Sequence, residues 1–256
     1  MCWSRRCCWK AVELVKSTGT KFDHVASNDR IKKILSGADT DYEEGNSLPS
    51  RDRLTYSNGF YVNCAAMFVD IRGSSKLPDR YKRRPTLAKL YRAYISEVVA
   101  VMDGDSNCAE VNIVGDGVWG VFNTPAKPDI DSAFATACTV NTVMKILNFQ
   151  LGKHGYDPIK VGIGLAWGRV LVVKAGLLGS GISDVVYMGD VVNQAAKLCA
   201  HGNETTEDKT IMVSGDFRFN LKEHNQGLLT KNTNRACWHC DAIMSNINDW
   251  FTENCK

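Results

Sequence analysis

Residues 60–75 read FYVNCAAMFVDIRGSS. Tyr61 to Ile71 is near-continuously apolar and long enough for a central strand buried on both faces. The run ends in one carboxylate, Asp70, which is costly in apolar surroundings unless something compensates its charge. Arg72-Gly73-Ser74-Ser75 then breaks the strand, and the backbone N–H groups of such a turn can face an anion. The stretch therefore sets an acid at a strand end beside a candidate phosphate-binding turn. Alone it is equally an ordinary strand terminus, because Asp before a glycine turn is common.

Working outward, Asp79 to Pro85 reads as a basic loop, and Leu87, Leu90, Tyr91, Tyr94, Ile95, Val98, Val99 and Met102 recur at helical spacing. Glu110–Val114 and Val118–Phe122 flank Gly115-Asp116-Gly117, a hairpin signal. Asp129 to Leu151 predicts a second long helix with a cap at Asp129 or Asp131. Ile159–Trp167 and Val170–Lys174 predict a strand pair broken at Gly168. A strand at Val185–Met188 leads through Gly189-Asp190 into a helix from about Val191 to Ala200. Further strands are expected at Thr210–Val213 and Ala236–Ile243, and a terminal helix at Ile247–Phe251.

This order is β-α-β-β-α-β with additions, an α+β fold with a ferredoxin-like core. In that topology the first strand lies beside the hairpin, so Asp70 and Asp116 can converge. Two carboxylates among oxygen donors suit Mg²⁺ or Mn²⁺, and two such ions support in-line displacement at phosphorus.

Upstream, Trp9–Lys16 and Asn28–Leu35 read as short helices, the second capped by Asn28. Asp39–Arg53 is polar and reads as a linker. Residues 1–55 are thus expected to form a helical extension, and 56–256 the catalytic domain. A net charge of +3 gives no electrostatic signature of a nucleic-acid binder. No run is long enough to cross a membrane and Met1–Lys10 lacks the features of a signal peptide, so a cytoplasmic location is the default expectation. The ten cysteines are scattered, which reads as reduced thiols. Cys237-Trp-His-Cys240 has the spacing of half a zinc site, but no second pair matches it.

Four segments, FVDIRGSS from Phe68, VNIVGDGVWGVF from Val111, VGIGLAWGRVLVVKAG from Val161 and VVYMGDVVNQAAKL from Val185, together resemble the class III nucleotidyl cyclases. The wider pattern, including RPTLAKLYRAYISEVVAV, is similar to the stand-alone pyrimidine cyclases of bacterial Pycsar anti-phage systems. The resemblance implies that Asp70 and Asp116, with the Ile71 carbonyl, hold two Mn²⁺ or Mg²⁺ ions. It implies that the Gly73–Ser74 turn and Arg169 hold the triphosphate. Asn193 would orient the ribose and transition state, and Lys197 falls where the family usually has an arginine. Lys keeps the charge but lacks the planar fork. The resemblance further implies a homodimer with sites at the interface, Asp70, Asp116 and Arg169 coming from one subunit and Asn112, Asn193 and Lys197 from the other. A separate effector protein would read the product.

The departures fall in the base pocket. Cyclases acting on ATP place Lys and Asp where this chain has Asn112 and Val186, and no Glu–Cys pair suited to guanine replaces them. Asn112 both donates and accepts, so it can read cytosine or uracil. Tyr61 and Phe68 are further candidates for substrate contact. The reading is a cyclase acting on UTP or CTP. The alternatives are a purine cyclase with an atypical pocket, an inactive nucleotide-binding module, and an RNA-binding sheet presenting Phe68 and Trp119.

Overall fold

The computed structural model describes residues 19–38 and 41–256. The expected helix Trp9–Lys16 lies outside the described residues. The second extension helix forms as α1 (His24–Leu35), capped by Asp23 rather than Asn28. Asp23 Oδ1 accepts from the Val25 and Ala26 N–H groups, so the helix starts upstream of the expected cap. The stretch read as a linker contains a short strand, β1 (Tyr42–Glu44), and a 3-10 turn, Arg51–Arg53. β1 pairs parallel with the beginning of β2 (Gly59–Ile71).

β2 is buried along most of its length because both faces are covered. After a short helix, α2 (Leu77–Arg80), within the expected basic loop, comes α3 (Arg84–Asp103). Leu90, Tyr94, Val98 and Met102 recur every fourth residue on α3 and are its buried stripe. Each such side chain contributes about 1.5–3 kcal/mol of burial. They pack under the odd-numbered residues of β2, Ala65 to Ile71. The hairpin forms as β3 (Cys108–Val114) and β4 (Gly117–Asn123). Gly115 supplies its left-handed residue, at φ 64°.

α4 (Lys127–Lys153) covers the same face of the sheet as α3. The Asp129 carboxylate accepts from the Ala126 N–H at 3.0 Å and ties down the start of the helix. Asp131 instead accepts from the Lys222 N–H and the Asn225 amide. β5 (Val161–Leu177) is one strand, not the expected pair broken at Gly168. It pairs with β2 without interruption from Gly59↔Val173 to Ile71↔Val161, and this ladder carries it through the glycine. β6 (Ile182–Met188) returns along its far end.

α5 (Asp190–His201) lies across the other face of the sheet, with Val191, Ala195 and Leu198 on Val62, Cys64 and Ala66. It comes close at the start of β5 because Gly162 and Gly164 have no side chains beneath it. A Cβ on Gly162 would stand 2.2 Å from the Cys199 carbonyl oxygen, and one on Gly164 2.1 Å from that of Ala195. β7 (Ile211–Val213) then pairs parallel with β5. Two short helices, α6 (Gly215–Asn220) and α7 (Glu223–Gly227), and β8 (Thr230–Asn232) were not anticipated. β9 (Cys237–Cys240) and α8 (Ser245–Asn254) close the chain.

The sheet runs β3-β4-β2-β5-β7-β9-β8, with β1 and β6 paired off this path. Its first four strands, all antiparallel neighbours, have the ferredoxin-like order. Cys237 packs in the core beneath α5, whereas Cys240 packs in the core beneath α3 and α4. The two thiols therefore lie on opposite faces of the sheet and do not share a ligand position. No helix among the described residues is long and apolar enough to cross a membrane.

Candidate active site

β2 and β4 pair with Phe68 opposite Trp119 and Val69 opposite Val118. Continuing that register brings the end of β2 to the hairpin turn, where Asp70 and Asp116 come close enough for the Asp116 charge to act on Asp70. Burial, then the Asp116 charge, push Asp70 up to about 6, against the pull of Arg72. Asp116 Oδ2 is buried with no hydrogen-bond partner. Like charges in contact, a raised carboxyl and an orphaned oxygen are the signature of a cation position. The donor set is hard oxygen, so the residues present fit Mg²⁺ or Mn²⁺.

Arg72 sets a fixed positive charge against this pair, its Nη2 2.9 Å from Asp70 Oδ2. Its Nη1 donates to the Ala200 carbonyl at 2.7 Å, tying the acid to the end of α5. The Arg72 N–H donates to the Lys160 carbonyl, which takes that group out of any anion-binding turn. Ile71 is buried. Gly73 follows in the left-handed region at φ 67° and turns the chain into the single 3-10 turn Ser74–Lys76. A cleft of about 300 Å³ opens here, lined by Phe68, Asp70, Arg72, Gly117, Trp119 and Ala200.

Asn112 lies opposite Trp119, which lies opposite Phe68, so the three share one rung on one face of the sheet. Phe68 and Trp119 stack with centroids 5.3 Å apart, and Tyr187 meets Trp119 edge-on at 6.3 Å. The rings thus spend their faces on one another, which counts against the RNA-binding alternative. The Asn112 amide donates to Glu110 Oε1 at 3.1 Å. Arg51 Nη2 reaches the same oxygen at 2.9 Å, and the Tyr187 hydroxyl donates to Glu110 Oε2 at 2.8 Å. Burial, then the Glu110 charge, push the Tyr187 phenol above its usual range.

One chain does not gather every expected residue. Arg169 pairs with Asn63 and Asp70 with Gly162, seven residues along the ladder. At about 3.3 Å per residue that is roughly 23 Å. Arg169 instead pairs with Glu44 of β1, and its guanidinium sits 4.9 Å over the Tyr61 ring. By strand alternation Tyr61 and Asn63 face the opposite side from Phe68 and Asp70. Asn193 and Lys197, one turn apart on α5, are exposed on the side turned away from the sheet that carries Asp70.

Four contacting residues escaped the sequence reading. Arg72 was visible only as part of a turn. Glu110 had a usable signal, since residues two apart on a strand share a face and Glu110 precedes Asn112 by two. Arg51 and Tyr187 come from elements that only the tertiary fold brings over β3.

A family model described as the adenylate and guanylate cyclase catalytic domain matches residues 57–236. A protein of Gulbenkiania mobilis named uridylate cyclase is 46% identical over 94% of this chain and 100% of its own length. One of Treponema porcinum with the same name is 37% identical over 91% of this chain and 82% of its own. Among solved structures, the adenylyl cyclase CyaB of P. aeruginosa superposes with a TM-score of 0.58 at 22% identity, covering 68% of this chain and 85% of that one. A class III adenylyl cyclase-like ATP-binding protein from Pseudomonas aeruginosa gives 0.67 at 16% identity, over 88% of this chain and 48% of that one. The structural likeness bears on the fold alone.

Proposed function

Because the chain belongs to the adenylate and guanylate cyclase catalytic domain family and is a nucleotidyl cyclase, we propose that it converts UTP to cyclic UMP and pyrophosphate. Full-length likeness to a protein named uridylate cyclase carries this base assignment. The absence of the Lys and Asp expected of an ATP cyclase, at Asn112 and Val186, agrees with it. The acid pair supports the reaction class.

In this reading residues 56–256 are the catalytic domain and 1–55 an extension. Asp70, Asp116 and the Ile71 carbonyl would hold two divalent ions, Mg²⁺ or Mn²⁺. Such ions, when bound, lower the pKa of the ribose 3′-hydroxyl and neutralise the triphosphate. The 3′-oxygen attacks the α-phosphorus in line and pyrophosphate leaves. The outward Asn193 and Lys197 meet the substrate of a second copy, so the working unit is a homodimer with sites between subunits. Asn193 orients the ribose, and Lys197 places positive charge against the transferring phosphoryl group. Gly73 and Ser74 approach the phosphates, and Phe68 and Asn112 the base. The expectation that Arg169 shares a subunit with Asp70 and Asp116 is revised in this reading: with Arg169 and Tyr61 far along the sheet from the acids of their own chain, they would contact the triphosphate and base from the partner copy. Cyclic UMP is then a second messenger in antiviral defence, made in the cytoplasm and read by a separate effector.

Product analysis with Mn²⁺ and each of ATP, GTP, CTP and UTP tests the proposal. Cyclic UMP from UTP is the expected result. A cyclic purine as the main product overturns the base assignment, and no product from a folded dimer overturns the reaction. Phage plaquing on cells carrying the chain and its effector, against cells carrying Asp70→Asn, tests the defence role.

A further inference from the structure

The free Asn112 amide is ambiguous, since rotating it by half a turn exchanges its donor and its acceptor. Glu110 removes that ambiguity. Its side chain is only 7% exposed, and the carboxylate accepts from Asn112, Arg51 and Tyr187. An ionised carboxylate only accepts, so Asn112 must turn its NH₂ toward it. The Asn112 carbonyl oxygen is left as the atom aimed away from Glu110. Arg51 and Tyr187 hold Glu110 in place from two other elements, and Tyr187 is itself wedged on Trp119.

We infer that Glu110 is the residue that sets the choice between uracil and cytosine, by holding Asn112 as a hydrogen-bond acceptor. Uracil carries a proton on N3, and an acceptor meets it. Cytosine carries a lone pair there, and the same acceptor repels it. Glu110 does not touch the substrate; it is a positioning residue, with Arg51 as its outer support. The inference rests on the base-reading role proposed for Asn112. It extends that role by assigning the selection to a residue from outside the pocket and to a turn in the N-terminal stretch.

The test is the ratio of kcat/KM for UTP to that for CTP, measured with Mn²⁺ on the full chain. Glu110→Gln keeps the shape but offers Asn112 a donor as readily as an acceptor. Its UTP:CTP ratio is expected to fall about tenfold or more, the scale of one misplaced hydrogen bond. A purely structural role would lower both substrates together and leave the ratio alone, and that result overturns the inference. Should Glu110→Gln fail to fold, Arg51→Met on an exposed side chain removes one of the three donors. Its ratio is expected to fall about threefold, a fraction of the same bond, and a folded Arg51→Met with the wild-type ratio overturns the inference equally. Wild-type protein that ignores UTP would instead overturn the proposed function beneath it, so the two failures are told apart.

Discussion

The two ends of the β3–β4 hairpin each carry carboxylates, and they are treated in opposite ways. At the turn, Asp70 and Asp116 are pressed together with an oxygen left unpaired and one arginine between them and α5. At the other end, Glu110 is held by three donors from three elements. An under-satisfied acid pair stores unfavourable electrostatics that a bound cation relieves. A carboxylate held by three donors acts instead through the neighbour it fixes. In the proposed reading, chemistry and selection are separated along one hairpin by how completely each carboxylate is paired.

The largest expected effect lies at the acid end. In the proposed function Asp70 holds a metal ion whose charge would stabilise the transition state by several kcal/mol, so in Asp70→Asn cyclic UMP formation should fall about a thousandfold or more. The same change relieves like-charge contact, so thermal unfolding of the metal-free protein should move up, not down. A loss of both activity and stability would break the contrast.

Next is the seat of α5 over that end. Gly162→Ala puts a Cβ 2.2 Å from the Cys199 carbonyl oxygen and 3.1 Å from Arg72 Cζ. It should cost about 3 kcal/mol in urea unfolding. Gly168→Ala meets only Val191 Cβ at 3.7 Å, an ordinary contact, and should be nearly silent.

A smaller effect separates the two ends by pH. Asp70 titrates near 6 in the folded chain, above its usual unfolded value near 4. The folded state therefore binds more protons between those values. Metal-free stability should be highest below about pH 4 from this group and decline as pH rises through about 6. Urea midpoints across that window read the slope, and Asp70→Asn should flatten it.

The smallest is at the base end. Tyr187→Phe removes one donor from Glu110 but keeps the ring on Trp119, so about 1 kcal/mol of stability should go. Preference for UTP should drop less than in Glu110→Gln. An equal drop would mean that the tyrosine, not the carboxylate, carries the selection.

The fold and the acid pair were legible from sequence because each rests on local signals. The buried run of β2, the four-residue stripe of α3 and the glycine turns at Gly73 and Gly115 each specify an element. The ferredoxin-like order then brings Asp70 beside Asp116. The continuous β5 was not legible, because a glycine reads as a break until a thirteen-residue neighbour pairs through it. Nor was the start of α1, where Asp23 caps upstream of Asn28.

What the sequence singled out by itself were the candidates for the chemistry: two strand-end acids, the amide at Asn112, and the outward pair Asn193 and Lys197 one helical turn apart. Only the tertiary structure decided their state. Whether a carboxylate is frustrated or saturated depends on partners such as Arg72, Arg51 and Tyr187, which arrive from distant elements. Strand register also decided that Arg169 and Tyr61 stand far from the acids of their own chain. Hydrogen bonds are satisfied or left open by geometry within about 3 Å, and no spacing along the chain encodes a contact that close between elements so far apart.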